Sequence, residues 1–231
     1  MHIAILVTNT DRSAFAARHP SDGAKFTAMV TGQRPSWQVT AFDLTEGEVP
    51  QALGAFDGVI IGGSPASVNG QEPWIASLDP MICDVVGRGQ KLFGACFGHQ
   101  AIARALGGQV GENPGGWVLG VTQTHINRTC SWVQPGPLRL AAAHSEQVLR
   151  LPSGAEVLGG NDECPVGFYR IGTTVYATQY HPEMSDDFMA ALVTEFAPDM
   201  APDVAARARS SLADPADTAK FVGSILRFFE A

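Results

Sequence analysis

The chain has 231 residues, and its 15 Lys and Arg against 23 Asp and Glu give a net charge of −8 at pH 7. Apolar residues make up 45% of the chain, which is ample for a core, whereas charged residues make up only 16%, below the value of about 25% in an average domain. This composition excludes a disordered chain and a coiled coil. No run of basic residues provides an electrostatic footprint for nucleic acid or an anionic membrane surface.

The cysteine content and the apolar runs indicate the compartment. No apolar run reaches the roughly 18 residues of a membrane span, and Met1–Val7 lacks the basic region and the cleavage site of a signal peptide. Four cysteines are too few for a disulfide framework in a chain of this length, and none has the spacing of a metal site. We therefore expect a cytoplasmic protein that uses no metal and no other cofactor.

Strands and helices alternate through the first half of the chain. Such alternation is typical of βαβ units and predicts a mostly parallel sheet. Apolar runs and helical spacing give, in chain order, a strand at 3–7, a helix at 21–31 that Gly32 stops, strands at 37–42 and 57–63, a helix at 73–86, a strand at 91–95 and a helix at 97–106.

The second half has a different pattern. Five short strand candidates, separated by Gly, Pro, Asn and Asp, lie at 117–126, 138–143, 156–159, 166–171 and 174–179. Helices return after Ser185, with breaks at Pro198, Pro202 and Pro215. We predict an α/β fold with a mostly parallel central sheet, flanking helices and extra antiparallel strands, in which residues 1–196 form the main domain and residues 197–231 form a C-terminal helical extension.

The C-terminal extension carries an apolar stripe at helical spacing. The stripe consists of Phe221, Ile225, Phe228 and Phe229. Because terminal helices usually cover a face of the core, docking onto the domain is the favoured interpretation. The alternative is a surface for a dimer or for another partner, so the sequence leaves a homo-oligomer open.

A candidate nucleophile lies between the fourth predicted strand and the helix that follows it. Gly94-Ala95-Cys96-Phe97-Gly98 has the G-x-nucleophile-x-G pattern of a sharp strand-to-helix turn. The turn would place the sulfur of Cys96 at a helix N-terminus, where the helix dipole stabilises a thiolate. Free cysteines are usually inert core residues, but the two glycines and the strand–helix context favour a nucleophile at Cys96.

A cysteine nucleophile needs a base, and the base needs an orienting group. His181-Pro182-Glu183 follows a predicted strand, so His181 should reach the same sheet edge as Cys96. Pro182 favours an extended backbone at His181, which leaves Glu183 close enough to bind one imidazole nitrogen. His144 also ends a predicted strand, and a place beside the pocket and a structural role are equally compatible with its position.

The segments 94–100 and 181–183 together resemble those of the class I, triad-type glutamine amidotransferases. The resemblance covers residues 4–196 and is greatest to the free-standing GMP synthase-like amidotransferases and the γ-glutamyl peptidases. It implies a flavodoxin-like fold and hydrolysis of the γ-amide of glutamine or of a γ-glutamyl compound. The implied roles are nucleophile for Cys96, proton transfer for His181 and orientation of the imidazole for Glu183.

The resemblance also implies the surroundings of the reacting carbonyl. The N–H groups of Gly63 and Phe97 would form the oxyanion hole. Gly62 would shape the turn that carries Gly63 and would belong to the substrate-binding residues. Gln100 would bind the amino-acid end of the substrate. One departure from the family pattern is Ser64, which stands between the paired glycines and Pro65. The departure affects the expected ammonia acceptor and leaves the three catalytic positions intact.

Four functions remain open at this point. The chain could be a stand-alone hydrolase of γ-glutamyl compounds or an ammonia-supplying subunit of a two-component synthetase, and both would use the same catalytic residues. A non-enzymatic sensor module with a reactive cysteine is disfavoured by the complete set of Cys96, His181 and Glu183. A hydrolase of the dienelactone or ThiJ type is disfavoured as well, because it would place its acidic residue elsewhere and would not need the His181-Pro182-Glu183 segment.

Overall fold

The computed structural model describes all 231 residues, which form eleven strands and six α-helices. In chain order these elements are β1 (His2–Val7), α1 (Asp22–Gln33), β2 (Gln38–Asp43), β3 (Gly58–Ile61), α2 (Pro73–Gly87), β4 (Lys91–Ala95), α3 (Phe97–Ala105), β5 (Gln109–Glu112), β6 (Val118–Ile126), β7 (Gly136–His144), β8 (Glu146–Arg150), β9 (Ala155–Gly160), β10 (Phe168–Ile171), β11 (Val175–Thr178), α4 (Asp186–Phe196), α5 (Pro202–Ser211) and α6 (Thr218–Glu230).

Nine of the strands form one sheet in the order β2-β1-β3-β4-β11-β10-β9-β6-β7. The five strands from β2 to β11 are parallel, and β10, β9, β6 and β7 extend the sheet in antiparallel pairs. Helices α1 and α6 pack on one face, whereas α2 and α3 pack on the other. This arrangement confirms the predicted α/β fold with a parallel centre and added antiparallel strands.

Local sequence signals explain most element boundaries. The central strands are buried on both faces, which is why they are almost continuously apolar. Ser21 caps α1, since its side chain accepts a hydrogen bond from the N–H of Ala24. The predicted stop at Gly32 is wrong, because α1 continues to Gln33. A single glycine destabilises a helix by only about 1 kcal/mol, which the neighbouring turns can offset.

The two-stranded antiparallel sheet of β5 and β8 was not predicted. Each strand contributes one buried apolar residue, Val110 and Val148, and these two lie opposite each other in the register. With so few apolar residues, neither segment shows the alternation by which a half-buried strand is recognised. The pair forms because its ends are fixed by α3 and by the end of β7.

The C-terminal helix is part of the main core. All four residues of its apolar stripe are buried, and Phe228 packs edge-on against Trp132 with ring centroids 5.1 Å apart. The expected docking of α6 onto the domain is therefore confirmed, and a free apolar face on this helix is excluded. The domain boundary at residue 196 stays a prediction. None of the helices combines the length and the apolar character that a membrane crossing needs.

Candidate functional site

Three parallel strands bring the candidate residues to one edge of the sheet. In the register, Ile61 of β3 lies opposite Gly94 of β4, and Ala95 lies opposite Thr178 of β11. The residues that follow these strand ends must therefore emerge side by side. They are Gly62 and Gly63, Cys96, and the segment 179–183. Ligand sites of open α/β sheets lie at this carboxyl end of the strands.

Cys96 occupies a strained turn at the start of α3. Its φ of 50° and ψ of −103° make it the only non-glycine residue with a positive φ, a conformation that costs about 1–3 kcal/mol. The flanking glycines allow this turn. A Cβ at Gly94 would stand 2.6 Å from the backbone of Gly98, and a Cβ at Gly98 would collide with the carbonyl oxygen of Ile61. The predicted sharp strand-to-helix turn is therefore present, and the role of Cys96 as nucleophile stays a prediction.

His181 and Glu183 form a buried pair. The imidazole Nδ1 lies 2.7 Å from Glu183 Oε1, and the two side chains are only 6% and 0% exposed. The backbone N–H of His181 donates to the carbonyl of Ala141 at 2.9 Å, which fixes the end of β11 against β7. The carboxylate thus determines which nitrogen faces the sheet edge, and Nε2 is left without a hydrogen-bond partner.

Gly63 lies against both the imidazole of His181 and the side chain of Cys96. A Cβ built there would stand 2.9 Å from His181 Cε1 and 3.8 Å from Cys96 Cβ, so the absence of a side chain lets both residues approach. Burial alone would lower the pKa of His181. The negative charges of Cys96 and Glu183, together with the hydrogen bond to Glu183, outweigh burial and raise the pKa of His181 well above its ordinary value.

The turn after β3 is held in one orientation. The carbonyl of Gly62 accepts hydrogen bonds from the N–H of Gly98 at 3.0 Å and from Thr8 Oγ1 at 3.1 Å. Thr8 also donates to the carbonyl of Gly63 at 3.0 Å. The N–H of Gly63 has no acceptor in the chain, and the N–H of Phe97 is the first of α3, where no preceding turn supplies an acceptor. A peptide flip here would break two hydrogen bonds.

Gln179 is a candidate site residue that the sequence analysis missed. Its Nε2 donates to Cys96 Sγ at 3.5 Å, and its Oε1 accepts from Gln100 Nε2 at 3.2 Å. Gln100 also donates to the carbonyl of Glu146 at 2.8 Å. The only available signal was the position of Gln179 two residues before His181. The structure places Gln100 beside the site, but both contacts of its amide are internal, so substrate binding by Gln100 stays a prediction.

Two further histidines are buried behind the site. Burial lowers the pKa of His99 to about 3, with a further decrease from the charge of His144. Burial also lowers the pKa of His144 to about 4, although its Nδ1 lies 3.1 Å from the carbonyl of Glu146. Cys96 Sγ lies 4.0 Å from the carbonyl oxygen of Ala143, so His144 follows directly on a residue that contacts the site. Both imidazoles are neutral at pH 7.

Because His99 is neutral in the folded chain, we expect the folded state to lose stability at acid pH. The unfolded chain binds a proton at the ordinary histidine pKa of about 6.5, whereas the folded chain does not until about pH 3. The free energy of unfolding should therefore fall by about 1.4 kcal/mol for each pH unit below 6.5 on this account alone. We expect His99→Gln to remove that slope in denaturant titrations. His125→Gln, at an exposed position of β6, should keep it, and equal slopes in the two variants would contradict the assignment.

The other cysteines lack the setting of Cys96. Cys83 is exposed and Cys130 is buried. Cys164 stands beside Pro165 in a polar segment, which predicts an exposed thiol, but that prediction is wrong. A tight turn with Asn161, closed by backbone hydrogen bonds of 3.1 and 3.2 Å, directs the thiol inward, and burial raises the pKa of Cys164 to about 12. No group of three or more His, Cys, Asp and Glu side chains is arranged to hold a metal ion.

Comparisons with known proteins identify the family of the chain. The family model of glutamine amidotransferase class-I matches residues 33–195, so the chain belongs to the glutamine amidotransferase class-I family. γ-Glutamyl peptidase 3 of Arabidopsis thaliana is 29% identical over 162 residues, which cover 66% of this chain and 65% of that protein. The glutamine-hydrolysing GMP synthase of Aeropyrum pernix is 31% identical over 136 residues, or 58% of this chain and 25% of the synthase.

Solved structures show the same fold. A glutamine amidotransferase from Thermotoga maritima superposes with a TM-score of 0.77 at 15% identity, covering 99% of this chain and 98% of that one. At this identity the likeness establishes the architecture alone. The chain spans less than two thirds of the Arabidopsis peptidase and a quarter of the archaeal synthase, so their names do not transfer a substrate to it.

Proposed function

We propose that this chain hydrolyses the γ-amide of glutamine or of a γ-glutamyl compound, with Cys96 as nucleophile, His181 as acid and base, and Glu183 as the orienting group. The observation that carries the proposal is the buried His181–Glu183 pair beside the strained turn of Cys96. In such a triad the orienting carboxylate stabilises the imidazolium while the nucleophile reacts.

The first half of the reaction forms a thioester. The Cys96 thiolate attacks the γ-carbonyl carbon, and the carbonyl oxygen becomes an oxyanion. The N–H groups of Gly63 and Phe97 are the proposed donors to that oxyanion, and each such donor contributes about 10²–10³ in rate. The carbon–nitrogen bond then breaks as His181 gives its Nε2 proton to the leaving nitrogen. Ammonia or an amine departs and a γ-glutamyl thioester remains on Cys96.

The second half regenerates the enzyme. The now neutral imidazole of His181 takes a proton from water as the water oxygen attacks the thioester carbon. The carbon–sulfur bond breaks, the Cys96 thiolate returns and glutamate, or the free γ-carboxylate, is released. Glu183 keeps the imidazole in place throughout. Gln179, whose amide lies 3.5 Å from the sulfur, supports the returning thiolate with a hydrogen bond.

Two observations favour a stand-alone hydrolase acting on γ-glutamyl peptides or amides. The first is the similarity to a γ-glutamyl peptidase. The second is the Gly62–Gly63 turn, because a partner-dependent enzyme could keep an incomplete oxyanion hole there by a peptide flip at little steric cost. Here the Gly62 carbonyl is held by two donors, which supports an oxyanion hole that is complete without a partner.

The second candidate is an ammonia-supplying subunit of a two-component synthetase. It is favoured by the similarity to a GMP synthase, although the match covers only a quarter of that synthase. The reaction at Cys96 would be the same, but ammonia would be passed to the partner. A cytoplasmic location and a homo-oligomer stay predictions under either function.

Turnover by the purified chain tests both candidates. We expect it to release glutamate from a γ-glutamyl dipeptide without any partner, at an ordinary enzymatic rate of about 1–10³ s⁻¹, and to cleave glutamine more slowly. Enzymatic determination of glutamate measures both reactions. Full activity on glutamine with no preference for larger amides would contradict the peptidase role. A chain inactive on both substrates and rescued by a synthetase would establish the subunit role.

A further inference from the structure

A cavity of about 630 Å³ opens directly beside the candidate site. His181 and Gly63 are among the residues that line it. Its walls are the loop after β1, the loop after β3, the start of β6, and α4 with the short segment after it. Polar and apolar residues both line it, but most of its surface is apolar, and the main apolar members are Phe15, Leu119, Met184, Phe188, Leu192 and Phe196.

Most charged side chains of the cavity are paired with a neighbouring charge. Arg12 donates to Glu46 at 2.8 Å, and Lys25 lies 3.0 Å from Asp22 and 3.5 Å from the ring centre of Phe188. Asp22 also accepts from Asn9 at 2.8 Å. Asp11 also lines the cavity; it is not paired with a cation, and its carboxylate accepts the backbone N–H of Ser13 at 2.8 Å. The charges of the cavity are thus largely neutralised, and most of the surface left for a ligand is apolar.

The chemistry of the proposed reaction determines which half of a substrate meets this cavity. The leaving nitrogen must face His181 Nε2, because that atom gives it a proton. A group attached to this nitrogen therefore extends past His181, towards the space that His181 lines. Gln179, which contacts the Cys96 sulfur, and Gln100, which contacts Gln179, are not part of the cavity wall. The cavity is thus available to the amine half of the substrate.

The size of the cavity also argues against ammonia as its only occupant. Ammonia is about as large as a water molecule, whereas cavities of about 300–1,000 Å³ are typical of small-molecule ligand sites. The cavity opens to solvent, and two of its aromatic lining residues, Trp117 and Phe196, are 46% and 37% exposed. Covering such apolar surface with an apolar group is favourable. A substituent with an aromatic or branched aliphatic group would fill it.

We infer that this cavity is the subsite for the amine half of the substrate and that it selects γ-glutamyl amides whose nitrogen carries an aromatic or branched aliphatic group. The inference rests on the proposed function and deepens it. Water attacks the thioester as described above, so the products are glutamate and the free apolar amine. The amine leaves through the cavity that bound it.

A substrate series tests the subsite. The probes are glutamine, γ-glutamyl methylamide and γ-glutamyl phenethylamide, and the measured quantity is kcat/KM. We expect the phenethylamide to exceed the methylamide by about tenfold or more, because each methylene in an apolar pocket contributes about 10-fold or greater discrimination. Equal kcat/KM values for the two amides would overturn the subsite while leaving the proposed hydrolysis intact.

Variants that fill the cavity test whether it is the part of the chain that selects the substrate. Leu192→Trp reduces the space between α4 and His181, and Ala17→Trp does so from the opposite, exposed wall. Each should lower the phenethylamide-to-methylamide ratio of kcat/KM about tenfold. Val157→Trp, at an exposed position of β9 outside the cavity, should leave the ratio unchanged. An unchanged ratio in both cavity variants, with thermal unfolding as for the wild type, would overturn the inference.

Binding separates the subsite from catalysis. Calorimetric titration of Cys96→Ala with the phenethylamide should show tighter binding than with the methylamide, since Cys96 is not part of the cavity wall. Equal affinities would contradict the subsite. Failure of the proposed function is distinguishable, because the wild-type chain would then release glutamate from none of the three probes.

Discussion

Replacing Cys96 with alanine should abolish the release of glutamate from every γ-glutamyl substrate. The sulfur is the atom that forms the bond to the substrate, and Ala removes it without enlarging the side chain. We expect a decrease in kcat of about 10⁴-fold or more, as for other triads in which the nucleophile is deleted. The fold should persist, since Ala fits the space of the thiol and the turn is held by the N–H of residue 96 donating to Thr178 at 2.8 Å.

Covalent labelling provides the second measurement for this prediction. A glutamine-like electrophile should add one adduct to the wild-type chain, and peptide mass spectrometry should place it on Cys96. Cys130→Ala is the matched control, because Cys130 is also a buried free cysteine but lies away from the sheet edge. That variant should keep both the adduct and the activity. Labelling at Cys83 or Cys130 would show that the nucleophile is misassigned.

The sequence was most informative where the backbone geometry allows only one residue type. The two glycines around Cys96 predict the strained turn, because a side chain at Gly98 would collide with the backbone of Ile61. The apolar runs of β1, β3 and β4 predict buried parallel strands. The position of His181 at a strand end then places it near Cys96 before any coordinates are known.

The sequence was least informative where position depends on long-range packing. Gln179 is an ordinary polar residue in the chain, and only the pairing of β11 with β4 brings its amide to the sulfur. The cavity brings Phe15 together with Phe188 and Phe196, although Phe15 is about 180 residues away from both in the sequence. The local periodicity of a sequence does not predict contacts between such distant residues. Cys164 was misjudged for the same reason, since a polar segment conceals a thiol that the tertiary structure buries.

Replacing His181 with alanine should reduce activity almost as much as replacing Cys96. The two residues act as one unit, so losing either removes the same mechanism and the effects do not add. Comparison of the single variants with the double variant in kcat measures this directly. An active His181→Ala variant would mean that another group transfers the proton.

Glu183→Gln should be milder, and its effect should depend on pH. Departure of the amine needs a protonated His181, so activity is present below the pKa of His181 and falls as the pH rises through it. In the wild type that pKa is raised well above the ordinary value, which places the alkaline limb of kcat/KM well above pH 6.5. Removing the Glu183 charge removes one of the causes of this shift, so the alkaline limb should move to lower pH.

A pH profile of kcat/KM from about pH 5 to about pH 10 makes this comparison. Glu156→Gln is the matched control, because Glu156 is a surface carboxylate paired with Arg170 at 3.0 Å and does not contact the site. Its profile should coincide with that of the wild type. An alkaline limb that stays in place in Glu183→Gln would show that the carboxylate positions the imidazole without sustaining its charge, because orientation can survive in the amide whereas the electrostatic stabilisation cannot.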